Sequence, residues 1–240
     1  MQSPVQPDAT LPRNVPVLAI CAHPDDIESW YGGTLALLVE RGCDVRVAIA
    51  TAGEKGSADR RLTPVEIAQT RMEDQKAAIA RLGIAGVRFL GWRDGEVADT
   101  MLFRAQIVRL LREVRPALVF THDPEHPYPP YITHRDHRVV GRVVLDAVYP
   151  AARDHLYFPE QIAEGLQPHK VASVWLFAST VATTAIDISE TLERKIVARL
   201  EHRSQTGDPD DLRVAWRERA AAIGQPFGLR AAETFTVVNL

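Results

Sequence analysis

Cysteine is scarce in this 240-residue chain, and its two cysteines, Cys21 and Cys43, match neither a zinc knuckle nor a disulfide framework. We therefore expect two reduced thiols in a cytoplasmic protein.

No apolar run approaches the ~20 residues that a membrane-spanning helix needs, so no membrane span is predicted. Basic residues are not in excess either. Because the net charge is −3, nucleic acid is not an expected partner.

The first fourteen residues lack the basic and apolar regions of a signal peptide. We predict that residues 1–14 form a flexible tail and that residues 15–240 form a single domain. The sequence does not fix the oligomeric state, and a homo-oligomer is an open alternative.

Short apolar or β-branched runs alternate with longer segments of helical periodicity. Apolar runs of this kind are typical of strands that are covered on both faces. We predict strands over residues 15–22, 45–51, 87–91, 117–122, 171–178, 184–188 and 233–238. Helices are predicted over residues 33–41, 64–82, 101–115, 135–149, 190–204 and 212–223. This alternation predicts an α/β fold with a doubly wound, mostly parallel sheet flanked by helices.

The first predicted strand ends in an unusual polar tip, Ala-His-Pro-Asp-Asp, in which His23 precedes the adjacent acids Asp25 and Asp26. Neighbouring carboxylates repel each other unless a proton or a cation compensates them. Doubly wound folds bind ligands at the carboxyl ends of their strands, where the strand order reverses. If the strands at 15–22 and 117–122 flank that point, the loops that follow them meet.

The loop after the second of these strands is rich in histidine. Four of the eight histidines lie within residues 121–141: His122, His126, His134 and His137. Residues three apart on a helix share a face, so His134 and His137 are expected to point into one cavity. Asp136 can hold one of these rings in a fixed tautomer. His122 and His126 are interpreted as neighbouring or loop residues and not as ligands.

Together the two loops contain the donors of a catalytic zinc site, which typically has three protein ligands and a position for water. His23, one of the two aspartates and one histidine of the second loop supply that set. The other aspartate is then left beside the water as a general base. The spacing does not decide which aspartate is the ligand.

The residues "AHPDDIE" and "GGTL", with "HRDH" about a hundred residues later, resemble a known family. It is the family of zinc-dependent de-N-acetylases that includes LmbE-like proteins and the N-acetylglucosaminyl-phosphatidylinositol deacetylase PIG-L. The resemblance covers roughly residues 15–205. It implies a Rossmann-like fold and an enzyme that hydrolyses the N-acetyl group of an amino-sugar-type substrate.

The resemblance also assigns roles residue by residue. It implies that His23, Asp26 and His137 bind zinc or another divalent transition metal. Asp25 takes the position of the general base, His134 stabilises the oxyanion or protonates the departing amine, and Asp136 orients His134.

Weaker matches concern the substrate. Arg71 and Asp94 match substrate-contacting residues of sugar-processing members, although a salt-bridged helix residue explains Arg71 equally well. Tyr128 and Tyr131, in the proline-rich segment 123–131, are able to stack on a sugar, and the segment is either a substrate lid or an oligomer contact. Two alternatives to an amino-sugar deacetylase stay open. The protein is either an amidase that acts on a thiol conjugate or an acylated antibiotic precursor, or an inactive metal-binding scaffold.

Overall fold

The structure is a computed structural model that describes residues 6–7 (backbone), 11–125 and 134–240. Its strands form a single sheet. They are β1 (Gln6–Pro7), β2 (Pro16–Cys21), β3 (Asp44–Thr51), β4 (Val87–Trp92), β5 (Leu118–His122), β6 (Ser173–Phe177), β7 (Thr184–Asp187) and β8 (Ala232–Asn239).

The strand order is β1-β7-β8-β6-β5-β2-β3-β4. Strands β2 to β6 run parallel, whereas β8 is antiparallel to both β6 and β7. The chain goes from β2 outward through β3 and β4, and then returns to place β5 on the other side of β2. The order therefore reverses between β2 and β5. This confirms the predicted doubly wound, mostly parallel sheet and brings the two polar loops to one edge.

Helices cover both faces of this sheet. They are α1 (Asp26–Trp30), α2 (Gly32–Glu40), α3 (Pro64–Leu82), α4 (Met101–Val114), α5 (Arg135–Asp146), α6 (Pro159–Ala163), α7 (Leu192–Leu200) and α8 (Pro209–Gly224). The short helices α1 and α6 were not predicted. Among the described residues, no helix is both long enough and apolar enough to cross a membrane.

Strand β2 shows why its sequence is apolar throughout. Val17 and Ala19 pack into one hydrophobic cluster, and Leu18 and Ile20 pack into another on the opposite face. All four side chains are at most 1% exposed. A strand buried on both faces needs apolar residues at successive positions, not at alternate ones.

Capping explains where α3 begins and why the predicted start of α7 is wrong. Thr63 and Glu66 form a reciprocal capping box that fixes the first turn of α3. The spacing of Asp187 and Glu190 suggests a similar start for α7, but α7 begins at Leu192 after Thr191. The Asp187 carboxylate instead accepts a hydrogen bond from the backbone N–H of Ser189, in a local turn.

Helix α5 lies very close to the end of β5 because Gly141 has no side chain. A Cβ atom at this position would lie 2.4 Å from the carbonyl oxygen of His122. The close approach brings the first turn of α5, with His134 and His137 at its start, over the carboxyl ends of β2 and β5.

The packed part of the chain begins earlier than residue 15. Leu11 is 5% exposed within the core, and its carbonyl accepts a hydrogen bond from Arg41. Gln6–Pro7 pairs in parallel with β7. Leu11, Pro12 and Asn14, which lie in the segment predicted as a flexible tail, thus pack on or hydrogen-bond to the domain.

Candidate metal and catalytic site

The turn after β2 turns the two adjacent aspartates in different directions. Asp25 adopts a left-handed backbone conformation, with φ of 83°, and Asp26 begins α1. Such a φ is uncommon for a residue with a side chain and is found most often where function constrains the backbone. The backbone N–H of Asp25 is held by the side-chain oxygen of Gln75 at 2.9 Å.

Asp26 has one carboxylate oxygen in contact with the backbone and His122, and one that faces His137. Oδ2 accepts hydrogen bonds from the backbone N–H groups of Ala22 at 3.1 Å and His23 at 2.8 Å. Oδ1 lies 3.2 Å from Nε2 of His137. Burial raises the pKa of Asp26, but the nearby imidazoles of His137 and His122 hold it well below its usual range. Asp26 is therefore an ionised carboxylate with one oxygen free to bind a cation.

His23, Asp26 and His137 together form a compact, buried donor set. Nδ1 of His23 lies 3.1 Å from Nε2 of His137, which lies 3.2 Å from the free oxygen of Asp26. Tetrahedral ligands at ~2.0–2.1 Å from zinc lie about 3.3–3.4 Å from one another. Both the donor types and their spacing therefore fit a divalent transition metal.

A second group of possible donors shares His23 and adds Asp94 and His134. His134 is more exposed than the members of the first group, and Asp94 is engaged by hydrogen bonds. The first group, which is buried throughout, is therefore the stronger candidate for a metal site. Asp25 belongs to neither group among the described residues.

The outer edge of the His23 ring faces two further acids. Nε2 lies 3.2 Å from Asp94 and 3.3 Å from Asp136. Burial lowers the pKa of His23, but hydrogen bonds to Asp136 and Asp94 overcome this and raise it to about 10. These acids fix the ring orientation and favour positive charge at this point, as carboxylates behind a metal-binding histidine do.

Asp136 is placed differently from the expectation that it orients His134. Its Oδ2 accepts a hydrogen bond from the backbone N–H of Gly95 at 2.7 Å and contacts His23, whereas no hydrogen bond joins its carboxylate to His134 in the described part of the chain. The reason is the direction of the first turn of α5, which points the Asp136 side chain at His23, in the loop after β2. Asp136 is thus a positioning residue for the His23 ring.

His134 is oriented by the backbone instead. As the N-cap of α5, it accepts a hydrogen bond at Nδ1 from the backbone N–H of Asp136 at 3.2 Å. Burial and the neighbouring imidazoles of His23 and His137 lower the pKa of His134 and favour the neutral ring. A neutral ring that accepts at Nδ1 carries its proton on Nε2. His134 can therefore donate a hydrogen bond into the cleft.

Asp25 lies in the same cleft as the donor set and near two guanidinium groups. Its carboxylate is 3.6 Å from Arg71 and 3.8 Å from Arg199. Burial raises the pKa of Asp25, and the charges of the two arginines counter only part of this effect. A partly exposed carboxylate with a raised pKa is better suited to accept a proton than to stay permanently ionised.

A cleft of about 750 Å³ opens over these groups, within the size range of small-molecule sites. Arg71 and Asp94, for which the family resemblance implies substrate contact, line this cleft, but the side chains of both are hydrogen-bonded within the protein. Arg71 is 5% exposed and donates hydrogen bonds to the carbonyls of Gly53 and Pro24. Tyr128 and Tyr131, like His126, lie outside the described residues.

Behind Asp25 is a buried polar chain that sequence analysis missed. Gln75, which accepts from the Asp25 N–H, donates to Glu28 at 3.0 Å, and Glu28 contacts Nε2 of His202 at 3.0 Å. Glu28 and His202 are both 0% exposed. His202, which has no partner at ligand spacing in the sequence, is therefore a buried residue and not a surface or cap residue. The only signal was the acid at position 28, which had no partner nearby in the sequence.

Replacement of Gln75 by leucine is expected to destabilise the protein by about 1–3 kcal/mol, because it leaves the Asp25 N–H without a partner and Glu28 with His202 alone. It should also lower kcat, since Asp25 loses its backbone support. Denaturant unfolding and kinetics measure the two effects. Gln106→Leu, which removes a half-buried hydrogen bond to Trp92 outside the cleft, should affect stability alone. Equal kcat in both variants would contradict the supporting role.

Comparison with known proteins gives a consistent match. Residues 18–148 match the sequence profile described as PIG-L, GlcNAc-PI de-N-acetylase. A diacetylchitobiose deacetylase from Thermococcus kodakarensis is 34% identical over 221 residues, which are 90% of this chain and 80% of that protein. A 1D-myo-inositol 2-acetamido-2-deoxy-alpha-D-glucopyranoside deacetylase from Mycobacteroides abscessus is 28% identical, over 81% of this chain and 83% of that protein.

A solved structure agrees with these sequence matches. The N,N'-diacetylchitobiose deacetylase from Pyrococcus horikoshii, in complex with an inhibitor, superposes with a TM-score of 0.87 and 28% identity. The match covers 93% of this chain and 84% of that one.

Proposed function

Because the chain belongs to the PIG-L family of GlcNAc-PI de-N-acetylases, we propose that it is a zinc-dependent amidase that removes the N-acetyl group from an amino-sugar substrate. The observation that carries this proposal is the donor set of His23, Asp26 and His137. The carboxylate of Asp25 lies near this set but is not part of it. A ligand set and an adjacent free carboxylate are the two parts that metal-assisted hydrolysis needs.

His23, Asp26 and His137 hold the metal in this proposal. When bound there, a divalent ion such as zinc supplies a Lewis acid that polarises the amide carbonyl and lowers the pKa of a water molecule. Asp136 and Asp94 hold the His23 ring in position from behind.

Asp25 acts as the general base and accepts a proton as the water oxygen bonds to the carbonyl carbon. Nε2–H of His134 donates a hydrogen bond to the carbonyl oxygen while negative charge develops on it. As the C–N bond breaks, Asp25 passes its proton to the departing nitrogen. The products are acetate and the free amine of the sugar.

The test is release of primary amine by the zinc-loaded protein from a panel of N-acetyl compounds. The panel contains N-acetylglucosamine, N,N'-diacetylchitobiose, an N-acetylated thiol conjugate and an acylated glycopeptide. We expect turnover of the amino sugars. Turnover of only the thiol conjugate or the glycopeptide would overturn the assignment of substrate class, and turnover of none would favour an inactive metal-binding scaffold.

A further inference from the structure

A second cavity opens beside the catalytic cleft, with a volume of about 290 Å³. It lies between α7, α8 and the start of β8, and it shares Ser29, Trp30 and Arg219 with the wall of the cleft. Trp30 is the last residue of α1, which begins at Asp26. Four residues of helix span about 6 Å, so the second cavity begins roughly one helical turn from the proposed metal ligand.

One buried ion pair at the floor of this cavity is already satisfied. The Glu233 carboxylate accepts hydrogen bonds from the backbone N–H groups of Gly33 and Thr34, from the Thr34 hydroxyl and from Lys195, at 2.6–3.0 Å. Lys195 is 5% exposed, and Glu233 is 2% exposed. Because these charges compensate each other, neither is free to bind a ligand.

Arg219 carries the uncompensated charge of the cavity. Its guanidinium lies 4.5 Å from the ring centre of Trp30 and 5.1 Å from that of Trp216. Within the described ranges, no carboxylate forms an ion pair with Arg219, and no acceptor takes a hydrogen bond from it. Burial lowers the pKa of Arg219, and the attraction of Glu233 offsets this only in part.

A half-buried guanidinium in contact with two indole rings is a preorganised cation. Stacking on aromatic rings restricts its orientation and leaves its N–H donors available to a ligand. A guanidinium in this state binds planar or tetrahedral oxyanions by two parallel hydrogen bonds. The rest of the lining combines apolar side chains with hydroxyl groups, among them Ala178, Ala220, Ile223, Ser179, Thr180 and Thr234.

We propose that Arg219, flanked by Trp30 and Trp216, binds an anionic group, either a carboxylate or a phosphate, on the part of the substrate remote from the amide. This inference rests on the proposed function and makes it more specific. The substrate is then an N-acetylated amino sugar whose second moiety is negatively charged. Arg219 distinguishes it from neutral glycosides.

The experiment compares kcat/KM for three substrates, the methyl glycoside, the carboxymethyl glycoside and the 1-phosphate of N-acetylglucosamine. We expect the wild-type protein to favour at least one anionic substrate over the neutral one. Arg219→Met should lower kcat/KM for that substrate by about 10- to 100-fold through KM, the loss of a charge-assisted hydrogen bond, and leave the neutral glycoside within about twofold. Arg219→Lys should retain part of the preference for the anionic substrate. The substrate whose kcat/KM falls most in Arg219→Met identifies the anion as a carboxylate or a phosphate.

Arg217→Met is the matched control, because Arg217 lies on the same helix but is exposed and paired with Glu193. It should leave all three values unchanged. No anionic preference in the wild type, or an equal loss with all substrates in Arg219→Met, would overturn the proposal.

The anion site can be tested even if the proposed function is wrong, because binding needs no turnover. Calorimetric titration measures the affinity of the protein for glucosamine 1-phosphate and for carboxymethyl glucosaminide. Binding of either one that weakens in Arg219→Met but not in Arg217→Met supports the anion site even if no substrate is hydrolysed. Equal binding by both variants contradicts it.

Discussion

Replacement of Asp25 by asparagine is expected to lower kcat by about 10²–10⁴-fold, the usual contribution of a general base, while the protein still binds its metal. The reason is geometric. Asp25 lies outside the donor set of His23, Asp26 and His137, and its carboxylate faces Arg71 and Arg199 instead. Asparagine keeps the size of the side chain and its backbone contact to Gln75 but cannot accept the proton from water.

Two measurements on the same preparation check this result, metal content by elemental analysis and turnover of an N-acetylated amino sugar. Thermal unfolding shows whether the variant retains the stability of the wild-type protein. Full turnover in Asp25→Asn would remove the base from the mechanism. Loss of metal together with turnover would place Asp25 among the ligands.

The adjacent replacement, Asp26→Asn, should have a different effect. Loss of a residue that only hydrogen-bonds to a metal ligand typically lowers metal affinity ~10–100-fold. We expect Asp26→Asn to lower metal affinity by more than this, and to abolish turnover as a consequence. An amide oxygen can still accept the two backbone hydrogen bonds that Oδ2 now accepts from Ala22 and His23. An NH2 group then replaces the free oxygen near His137, so both the ligand atom and its negative charge are lost.

The two asparagine variants are controls for each other, because they change neighbouring residues by the same atoms. Competition with a fluorescent chelator measures metal affinity in each. Added metal should restore some turnover to Asp26→Asn at high concentration but none to Asp25→Asn. Unchanged metal affinity in Asp26→Asn would contradict its role as a ligand.

The parts of the fold set by local physics were predictable from sequence. Helix α3 begins and ends where its capping threonine and Gly83 predict. The alternation of apolar runs with helical segments predicts the meeting of β2 and β5, and thus the two halves of the site. The start of α7 was not predictable, because Asp187 has the spacing of a capping box but caps a turn.

Within the site, the pattern predicts which side chains converge but not which atoms they contact. Asp136 shares a helix turn with His134, yet its carboxylate reaches His23. The partners Glu28 and His202 are 174 residues apart in sequence and meet only because α1 and the segment after α7 pack together. Arg219 likewise acquires its tryptophan neighbours from two different helices. Such contacts depend on tertiary packing, which no local pattern records.

The most direct test of metal-dependent deacetylation is acetate release from an N-acetylated amino sugar, measured on one preparation before chelation, after chelation and after zinc is restored. Acetate and free amine should appear in equal amounts before chelation, stop when the metal is removed and resume on addition of about one equivalent of zinc per chain. Acetate release that continues unchanged in the verified metal-free protein would contradict the account.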